Sequence, residues 1–474
     1  MNVLKSAAKP PPGWGKSVLS LALAVLCFNL AYASINIPIA GLLIFGYAYF
    51  LVQLANQPTV RRAFYFGLAT GFSCAAGQAY FFWKIFHPAA TILWLVFGFW
   101  IGLFAAICCG CFRRWEIAKA VCLVPLVWTG TEYFRSELYY LRFSWLNVGY
   151  VFSNLPIFPM HLLGMYGVGF VVFSIAAAVW CFTQSINTFW MTRFIVGLIL
   201  VMMLTWLFQL LSSAGPNPPP APLKLAGVQM EFPPEHIIPE ILNQALAKNT
   251  NAAIFVMSEY TLDGGVPDAL KNWCRKHSRF LVVGGKDVVT NDVYYDTAFV
   301  IGTNGEIVFK QAKSVPIQFF KDGLPATNQE IWNSPYGKIG ICICYDLSYT
   351  RVTDELLRQG AQMLIIPTMD VEDWGKHEHK LHSRVAPVRA AEYGIPIFRV
   401  ASSGVSQAVL AGGKVIASTS IPDDGAIFSA QLWLPARGSL PMDRFLAPFC
   451  VIVTGAIVAI LLFLNWQDKQ VTKK

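Results

Sequence analysis

The sequence predicts a polytopic α-helical membrane domain of about eight spans, joined to one extracytoplasmic α/β domain. Three observations lead to this fold class. The 474 residues are 55% hydrophobic and 13% charged, which is too apolar for an ordinary soluble protein. Apolar windows of span length fill the amino-terminal part and return near the carboxyl end. Between them, short apolar runs alternate with polar segments of helical character.

The membrane spans are predicted from eight windows, because a bilayer core of about 30 Å takes about 20 helical residues to cross. They are residues 17–33, 37–55, 63–83, 89–111, 120–131, 157–182, 194–211 and 445–466. The fifth is short and brings Glu132 and Arg135 close to a membrane face, where either a functional role or an ion pair at a helix end would explain them. The first window lacks a convincing cleavage site, and a second span follows at once, so we expect a retained helix.

Basic residues predict the orientation. With a cytoplasmic amino end, every cytoplasmic turn carries positive charge, as the positive-inside rule requires. These residues are Arg61, Arg62, Arg113, Arg114, Lys119, Arg193, Lys469, Lys473 and Lys474. The expected protein is therefore a multi-pass membrane protein, with both termini cytoplasmic and the long segment between the last two spans outside, which in a bacterium is the periplasm.

The charge distribution indicates the partners. Residues 1–213 hold 12 basic and 3 acidic residues, which accounts for the whole net charge of +9. A surplus confined to the spans fits topology and anionic lipid headgroups. It argues against nucleic acid as a partner, which would need a basic face on the soluble part. The bilayer is the expected partner, and we expect a monomer.

The chain is predicted to divide into a membrane domain (1–213), a proline-rich linker (214–222), an α/β domain (223–440), a last span (445–466) and a tail (467–474). Of the eleven cysteines, the three outside the spans are Cys274, Cys342 and Cys344. Three cysteines form no disulfide framework, so we expect at least one thiol to stay reduced for use.

The α/β domain is predicted from seven short apolar runs separated by helix-like segments. The runs are LKLAGVQ, AAIFVMSE, FLVVGG, TAFVIG, KIGICIC, MLIIP and PIFRVAS, and the helix-like segments are 239–248, 267–277, 353–359 and 380–393. Continuous apolar strands between helices indicate a sheet covered by helices, either a simple α/β or a layered α-β-β-α domain.

Three residues at strand ends are candidates for catalysis, because α/β folds place their chemistry there. Glu259 closes AAIFVMSE, Lys313 follows GEIVFKQA, and Cys344 closes KIGICIC. They would supply a proton acceptor, an oxyanion-stabilising cation and a thiol nucleophile. Taken singly, each has a plainer interpretation: a helix cap, a surface charge and a buried filler. Cys342, two residues earlier, is expected to be packed inside the strand.

The order and context of these residues resemble the nitrilase, or carbon-nitrogen hydrolase, superfamily. That family has a lysine seven residues after the glutamate of a G-E-I-V turn, which Lys313 matches after Glu306, and its G-x-x-I-C-Y-[DE] stretch is similar to GICICYD. The later stretch VRAAEYGIPIFRVASSGVSQAV also resembles that family's pattern. The resemblance implies a nitrilase-like α-β-β-α sandwich with Glu259, Lys313 and Cys344 as its catalytic residues.

The membrane part resembles one branch of that superfamily, the apolipoprotein N-acyltransferases. WTGTEYFRSELYYLRFSWLNVGY followed by GMYGVGF is similar to that branch's membrane signatures, and PTMDVEDWG followed by His382 fits its loop and helix. The resemblance implies ping-pong acyl transfer from a phospholipid, through a Cys344 thioester, to the amine of a diacylglyceryl-modified lipoprotein. It implies no cofactor and no metal.

Around this core the sequence departs from the family. Members carry V-P-F-G-E after the lysine, whereas this chain has PIQFFKDG, which places Lys321 and Asp322 there. Tyr345 and Asp346 replace a Tyr-Glu pair, and a tryptophan near the start of the domain is missing. Either Asp322 or Asp346 could do the work of the absent glutamate. Tyr345 would give a backbone N–H to the oxyanion.

Aromatic residues are candidates for an apolar entrance. Trp374, with Phe319 and Phe320, would form it, and core packing is the equal alternative.

His377, His379 and His382 do not share one helical face, so we expect no metal site there. Other functions stay open: a membrane-tethered amidase or an acyltransferase that uses the same triad on a different acceptor, and a non-catalytic membrane scaffold.

Overall fold

The structure is a computed structural model. It describes residues 11–184, 222–290, 293–419 and 426–471, and between 189 and 207 it describes only individual helical residues. It divides into two compact units, Met1–Pro216 with Pro441–Lys474, and Asn217–Leu440. Much of the predicted seventh window, 194–211, lies outside the described residues. The two units are described separately below.

The first unit is helical. Its helices before the linker are α1 (Trp14–Ala31), α2 (Leu43–Ala55), α3 (Val60–Gln78), α4 (Phe82–Phe86), α5 (Ala90–Arg114), α6 (Ile117–Ala120), α7 (Val124–Tyr133) and α8 (Met160–Thr183). In the described part of the chain, five helical segments are long and apolar enough to cross a membrane: Trp14–Ser34, Pro38–Ala55, Phe82–Arg114, Met160–Thr183 and Asp443–Val471. Helix α3 has 19 residues, but its polar amino end lowers its hydropathy. The fifth window holds the 10-residue helix α7, too short to span alone.

Small residues bring α3 and α5 together. A Cβ added at Gly67 would lie 2.8 Å from the Cα of Gly102, and one at Gly71 would lie 2.8 Å from the Cα of Gly98. The two backbones therefore approach as closely as glycine allows, which is typical of helix contacts between membrane spans.

The charged pair at the fifth window is buried in this unit. Glu132 Oε1 accepts the Val148 N–H at 2.9 Å. Arg135 donates to Asn147 Oδ1 at 2.5 Å and to the Phe143 carbonyl at 2.6 Å. Both side chains thus hold the segment that follows α7. The sequence alone left three roles open for them: a function, an ion pair or a helix-end contact.

The second unit holds two six-stranded sheets. Its strands are β1 (Leu223–Val228), β2 (Ile254–Met257), β3 (Phe280–Thr290), β4 (Val293–Ile301), β5 (Ile307–Ala312), β6 (Ile331–Ser334), β7 (Gly337–Ile341), β8 (Met363–Thr368), β9 (Ile397–Ala401), β10 (Gln407–Val409), β11 (Val415–Ser418) and β12 (Ile427–Leu432). The sheet orders are β12-β1-β2-β3-β4-β5 and β11-β10-β9-β8-β7-β6. In each sheet three central strands are parallel and the outer pairs are antiparallel.

Helices cover the sheets. In this unit they are α9 (Ile238–Lys248), α10 (Asp268–His277), α11 (Thr350–Arg358), α12 (Lys376–Ser383) and α13 (Val385–Tyr393), and α14 (Asp443–Val471) belongs to the first unit. All seven predicted apolar runs form strands. The predicted helix 380–393 is instead two helices that meet at Arg384.

The core between the sheets confirms the layered alternative. Val256 and Val282 of one sheet share an apolar cluster with Ile341, Ile365 and Phe398 of the other. On the outer face of the first sheet, a second cluster joins its strands to α9 and α10. The order helix, sheet, sheet, helix follows, and the carboxyl ends of β2, β7 and β8 carry the candidate site.

Candidate active site

The candidate nucleophile lies in a strained turn. Cys344 follows β7, begins the turn Cys344–Ser348 and has φ +49°, a left-handed conformation that is rare outside glycine. Such strain persists where the surrounding structure fixes it, and it is frequent at active sites. The Cys344 thiol lies 3.5 Å from the Met369 carbonyl. Cys342 is fully buried in the core, as predicted.

Glu259 and Lys313 form a buried ion pair beside this turn. Lys313 Nζ donates to Glu259 Oε1 at 2.7 Å, and both side chains are fully buried. The Met369 N–H donates to the other carboxylate oxygen at 2.6 Å. Met369 therefore touches Glu259 through its backbone N–H and Cys344 through its backbone carbonyl, and the structure brings the three predicted catalytic residues into one site.

Asp322 holds the second side of the lysine. Its Oδ2 accepts Lys313 Nζ at 2.7 Å and the Ile317 N–H at 2.6 Å, while Oδ1 accepts the Tyr260 hydroxyl at 2.8 Å. The adjacent Gly323 has φ +76°, and a Cβ there would lie 2.8 Å from the backbone nitrogen of Asp296. Glycine thus lets the altered loop PIQFFKDG approach the sheet closely enough for Asp322 to reach Lys313.

Asp346 has a different position. Its carboxylate accepts the backbone N–H groups of Val315 at 2.7 Å, Ser314 at 3.1 Å and Ile343 at 3.2 Å. It therefore ties the residues after Lys313 to the nucleophile turn. Of the two candidates for the missing glutamate, Asp322 is the one hydrogen-bonded to the lysine. Tyr345 is half-buried, with its ring 4.9 Å from that of Tyr349.

Two buried arginines support the site. Arg389 donates to the carbonyls of Leu347 at 3.1 Å and Ser348 at 2.8 Å, and pairs with Glu392 at 2.6 Å. This gives a physical reason for Arg389 and Glu392 in the stretch VRAAEYG, because the arginine fixes the end of the nucleophile turn. Arginine suits this place because its planar fork donates to several acceptors at once.

The residue after Met369 is held from two sides. Asp370 accepts Arg399 at 2.6 Å through one oxygen and contacts His382 Nδ1 at 2.6 Å through the other. Arg399, followed by His382, holds the pKa of the Asp370 carboxyl below its usual value despite burial. The backbone of Met369, whose N–H contacts Glu259 and whose carbonyl contacts Cys344, is thereby held next to a fixed residue.

Burial and charge set the protonation of the catalytic groups. Burial, reinforced by the Glu259 charge, raises the pKa of the Cys344 thiol well above its usual value. Burial alone would also raise the pKa of Glu259, but Lys313 and the hydrogen bonds around it lower that pKa. Burial alone would lower the pKa of Lys313, but the charges of the neighbouring carboxylates outweigh that effect. The pKa of Lys313 therefore lies well above its usual value. The resting site holds a thiol, a carboxylate and an ammonium.

Aromatic side chains lie at the surface near the altered loop. Phe319 is 67% exposed and Phe320 38% exposed, and the Phe320 ring lies 6.0 Å from that of half-buried Trp374. The structure therefore contradicts the alternative that they are core residues. Lys321, in the same loop, is exposed and gives its carbonyl to the Tyr294 hydroxyl at 2.7 Å.

Two groups of side chains are compact enough to contact one metal ion in the part of the chain that the structure describes. They are Glu259 with Asp296 and Asp322, and Asp370 with Glu378 and His382. Each group already contacts a protein cation, Lys313 in the first and Arg399 in the second. His379 Nε2 lies 2.9 Å from the Val371 carbonyl.

Some site residues were missed from the sequence. Arg399, Met369 and Asp296 all lie in or beside apolar strands, and none of them was named as a site residue. The available signal for Arg399 and Asp296 was a charged residue inside an otherwise apolar run, which is rarely buried unless it has a partner. Met369 acts through its backbone, which no side-chain pattern indicates.

Comparisons with known proteins match both parts of the chain. The apolipoprotein N-acyltransferase N-terminal domain family matches residues 24–178, and the carbon-nitrogen hydrolase family matches residues 222–430. The apolipoprotein N-acyltransferase of Geobacter metallireducens is 21% identical over 87% of this chain and 89% of its own, and that of Shewanella oneidensis is 22% identical over 86% and 89%. The crystal structure of an amidase from Nesterenkonia sp. is 18% identical, covers 48% of this chain and 95% of its own, and has a TM-score of 0.39. The two family models, with curated relatives that cover most of the chain, support an N-acyltransferase of the nitrilase superfamily and hence an acyltransferase enzyme.

Proposed function

We propose that this protein moves an acyl chain from a phospholipid to the amino-terminal amine of a diacylglyceryl-modified lipoprotein, through a thioester on Cys344. The observation that carries the proposal is the buried contact of Lys313 with Glu259, next to a Cys344 thiol in a strained turn. A buried carboxylate beside a buried thiol supplies the base that a thiol needs at neutral pH. A non-catalytic scaffold would not need a buried ion pair and a buried thiol held in this arrangement.

In the first half-reaction Glu259 takes the proton of Cys344, and the sulfur attacks the ester carbonyl of the phospholipid. A C–S bond forms, and the carbonyl oxygen becomes an oxyanion. Lys313 Nζ and the Tyr345 backbone N–H would stabilise it, each donor contributing about 3 to 4 kcal/mol. The oxyanion collapses, the ester C–O bond breaks, and Glu259 returns its proton to the departing lysophospholipid alkoxide.

In the second half-reaction the lipoprotein amine attacks the thioester carbonyl. Glu259, again a carboxylate, accepts a proton from the amine as the C–N bond forms. The C–S bond breaks, and the thiol of Cys344 is restored on reprotonation. Because the pKa of Glu259 is held low, the base is ionised before each half-reaction.

The membrane unit gives this chemistry a location. We propose eight spans, both termini in the cytoplasm and the α/β unit on the periplasmic side of a bacterial inner membrane, because the basic residues follow the positive-inside pattern. Donor and acceptor are both lipid-anchored, so confinement at the bilayer replaces a search in solution with local delivery. The exposed Phe319 and Phe320 and the half-buried Trp374 would form an apolar entrance that limits hydrolysis of the thioester.

The test uses purified protein in phospholipid micelles with a synthetic peptide that begins with diacylglyceryl-cysteine. We expect mass spectrometry to find an N-acylated peptide, absent with Cys344→Ala and present with Cys342→Ala. The matched substrate control is the same peptide with an acetylated amino terminus, which we expect to stay unmodified. Free fatty acid without acylated peptide, or ammonia from small amides without phospholipid, would contradict the proposal and favour a hydrolase.

A further inference from the structure

Asp296 is a third carboxyl group at the lysine, and the mechanism above does not use it. It lies in β4 and is fully buried. Its carbonyl accepts the Lys313 backbone N–H at 2.8 Å, and its nearer carboxyl oxygen is 3.5 Å from Lys313 Nζ. The main chain thus fixes this side chain against the catalytic groups.

The three carboxyl groups differ in their hydrogen-bond donors. Asp322 accepts from Lys313, Tyr260 and the Ile317 N–H. Glu259 accepts from Lys313 and the Met369 N–H. Within the described ranges neither carboxyl oxygen of Asp296 has a hydrogen-bond donor.

A buried carboxylate in that position would be expensive, because burying a charge without donors costs far more than burying a neutral acid. Oxygens of Glu259, Asp296 and Asp322 lie within 4.8 Å of one another. Lys313 supplies one positive charge, so three carboxylates would leave two excess negative charges in a buried space. Carboxyl groups that share a site in this way do not all ionise, and one keeps its proton.

We propose that Asp296 holds a proton in the resting enzyme and donates it as a hydrogen bond to Glu259, acting as a positioning residue for the base. Two such oxygens can form a hydrogen bond only if one of them carries a proton. Burial, followed by the Glu259 charge, raises the pKa of Asp296 well above its usual value. A hydrogen bond with Asp296 also contributes to the lowered pKa of Glu259.

The consequence concerns the charge beside the nucleophile. The groups that face Asp296 are Glu259 and Tyr260 after β2, Lys313 after β5 and Asp322 in the following loop. While Asp296 is neutral, Lys313 offsets one of the two negative charges of Glu259 and Asp322. Loss of the Asp296 proton would add a negative charge where an oxyanion must form, so acyl-enzyme formation falls at alkaline pH.

The first test measures the melting temperature against pH for the full chain and for Asp296→Asn. The unfolded chain loses this proton near pH 4, but the folded chain keeps it to a higher pH. Wild-type stability therefore falls as pH rises above about 4, and the variant lacks this loss. We expect the melting temperature of the variant, relative to wild type, to increase steadily from pH 4 to pH 7.

A flat or falling difference would overturn the proposal. If Asp296 were ionised and paired with Lys313, the melting temperature of the variant relative to wild type would fall as pH rises. Asp287→Asn, at a half-exposed carboxylate on the neighbouring strand that pairs with Lys310, controls for the change in net charge. This measurement uses no substrate, so it is independent of the acyl donor and acceptor proposed above. Failure of lipid transfer would leave its result unchanged.

The second test reads the proton directly. We expect the infrared spectrum at neutral pH to contain the carbonyl band of a protonated carboxylic acid that disappears in Asp296→Asn. No difference in that region would refute a protonated Asp296.

In addition, Asp296→Asn, whose amide still donates, should form acyl-enzyme about tenfold faster than Asp296→Leu, which cannot. Equal rates for these two variants would overturn the hydrogen-bonding role.

Discussion

Replacing Glu259 by glutamine tests the base with little change in shape. The carboxylate accepts Lys313 Nζ at 2.7 Å through one oxygen and the Met369 N–H at 2.6 Å through the other. A glutamine keeps one acceptor and turns its amide nitrogen toward a donor. The unmet donor costs about 1 to 3 kcal/mol of folding free energy. Asp322 still contacts Lys313, so the larger cost of an unpaired buried charge is avoided.

The kinetic effect of the same change is larger. Positioned general bases contribute about 10²- to 10⁴-fold, and a factor of 10³ is about 4 kcal/mol of activation free energy. We expect acyl-enzyme formation in Glu259→Gln to slow by that factor, as followed by rapid quenching and intact mass spectrometry with excess phospholipid. Glu306→Gln, an exposed change on the turn before Lys313, is the matched control. A rate for Glu259→Gln within tenfold of the control would refute the assignment of the base.

Three further changes test the supports of the site. Asp322→Ala removes one of the two carboxylates that accept a hydrogen bond from Lys313 at 2.7 Å. We expect the rate of acyl-enzyme formation to fall about 100-fold, which corresponds to losing about 3 kcal/mol of stabilisation at a buried charge. A rate near wild type would show that Glu259 alone holds Lys313. Asp346→Asn places a donor against backbone N–H groups, so the unfolding free energy should fall by about 2 kcal/mol in chemical denaturation, and an unchanged midpoint would contradict the clamp. Trp374→Ala changes a half-buried ring, so the melting temperature should stay close to wild type while the KM for phospholipid vesicles rises; an unchanged KM would remove this residue from the entrance.

Much of the α/β unit could be predicted from the sequence, because strand cores are continuous apolar runs. The strands that hold Val256 and Ile365 are buried on both faces. Each therefore stands in the sequence as a short, uninterrupted apolar run. Glu259 and Cys344 could be named because they close such runs, whereas Lys313 could be named from its offset after the GEIV turn. Their convergence could not be read from spacing, since it depends on two sheets packing face to face.

The remaining features depend on contacts between distant residues. Helix 380–393 was predicted as continuous, because the helical propensities do not show the break at Arg384. Whether Asp322 or Asp346 reaches Lys313 depends on the path of a loop, in which Gly323 with φ +76° permits the close approach. Asp296 carries no short-range signal beyond its charge in an apolar strand.

The central claim is that Cys344 carries the acyl chain. The most direct measurement incubates the protein with a phospholipid bearing isotope-labelled acyl chains, stops the reaction in acid and maps the adduct by peptide mass spectrometry. We expect one labelled acyl group on the peptide of Cys344, absent in Cys344→Ala, retained in Cys342→Ala, and removed when a diacylglyceryl peptide with a free amine is added. Label on Cys342, label that the amine does not remove, or no label on fully folded protein would contradict the mechanism.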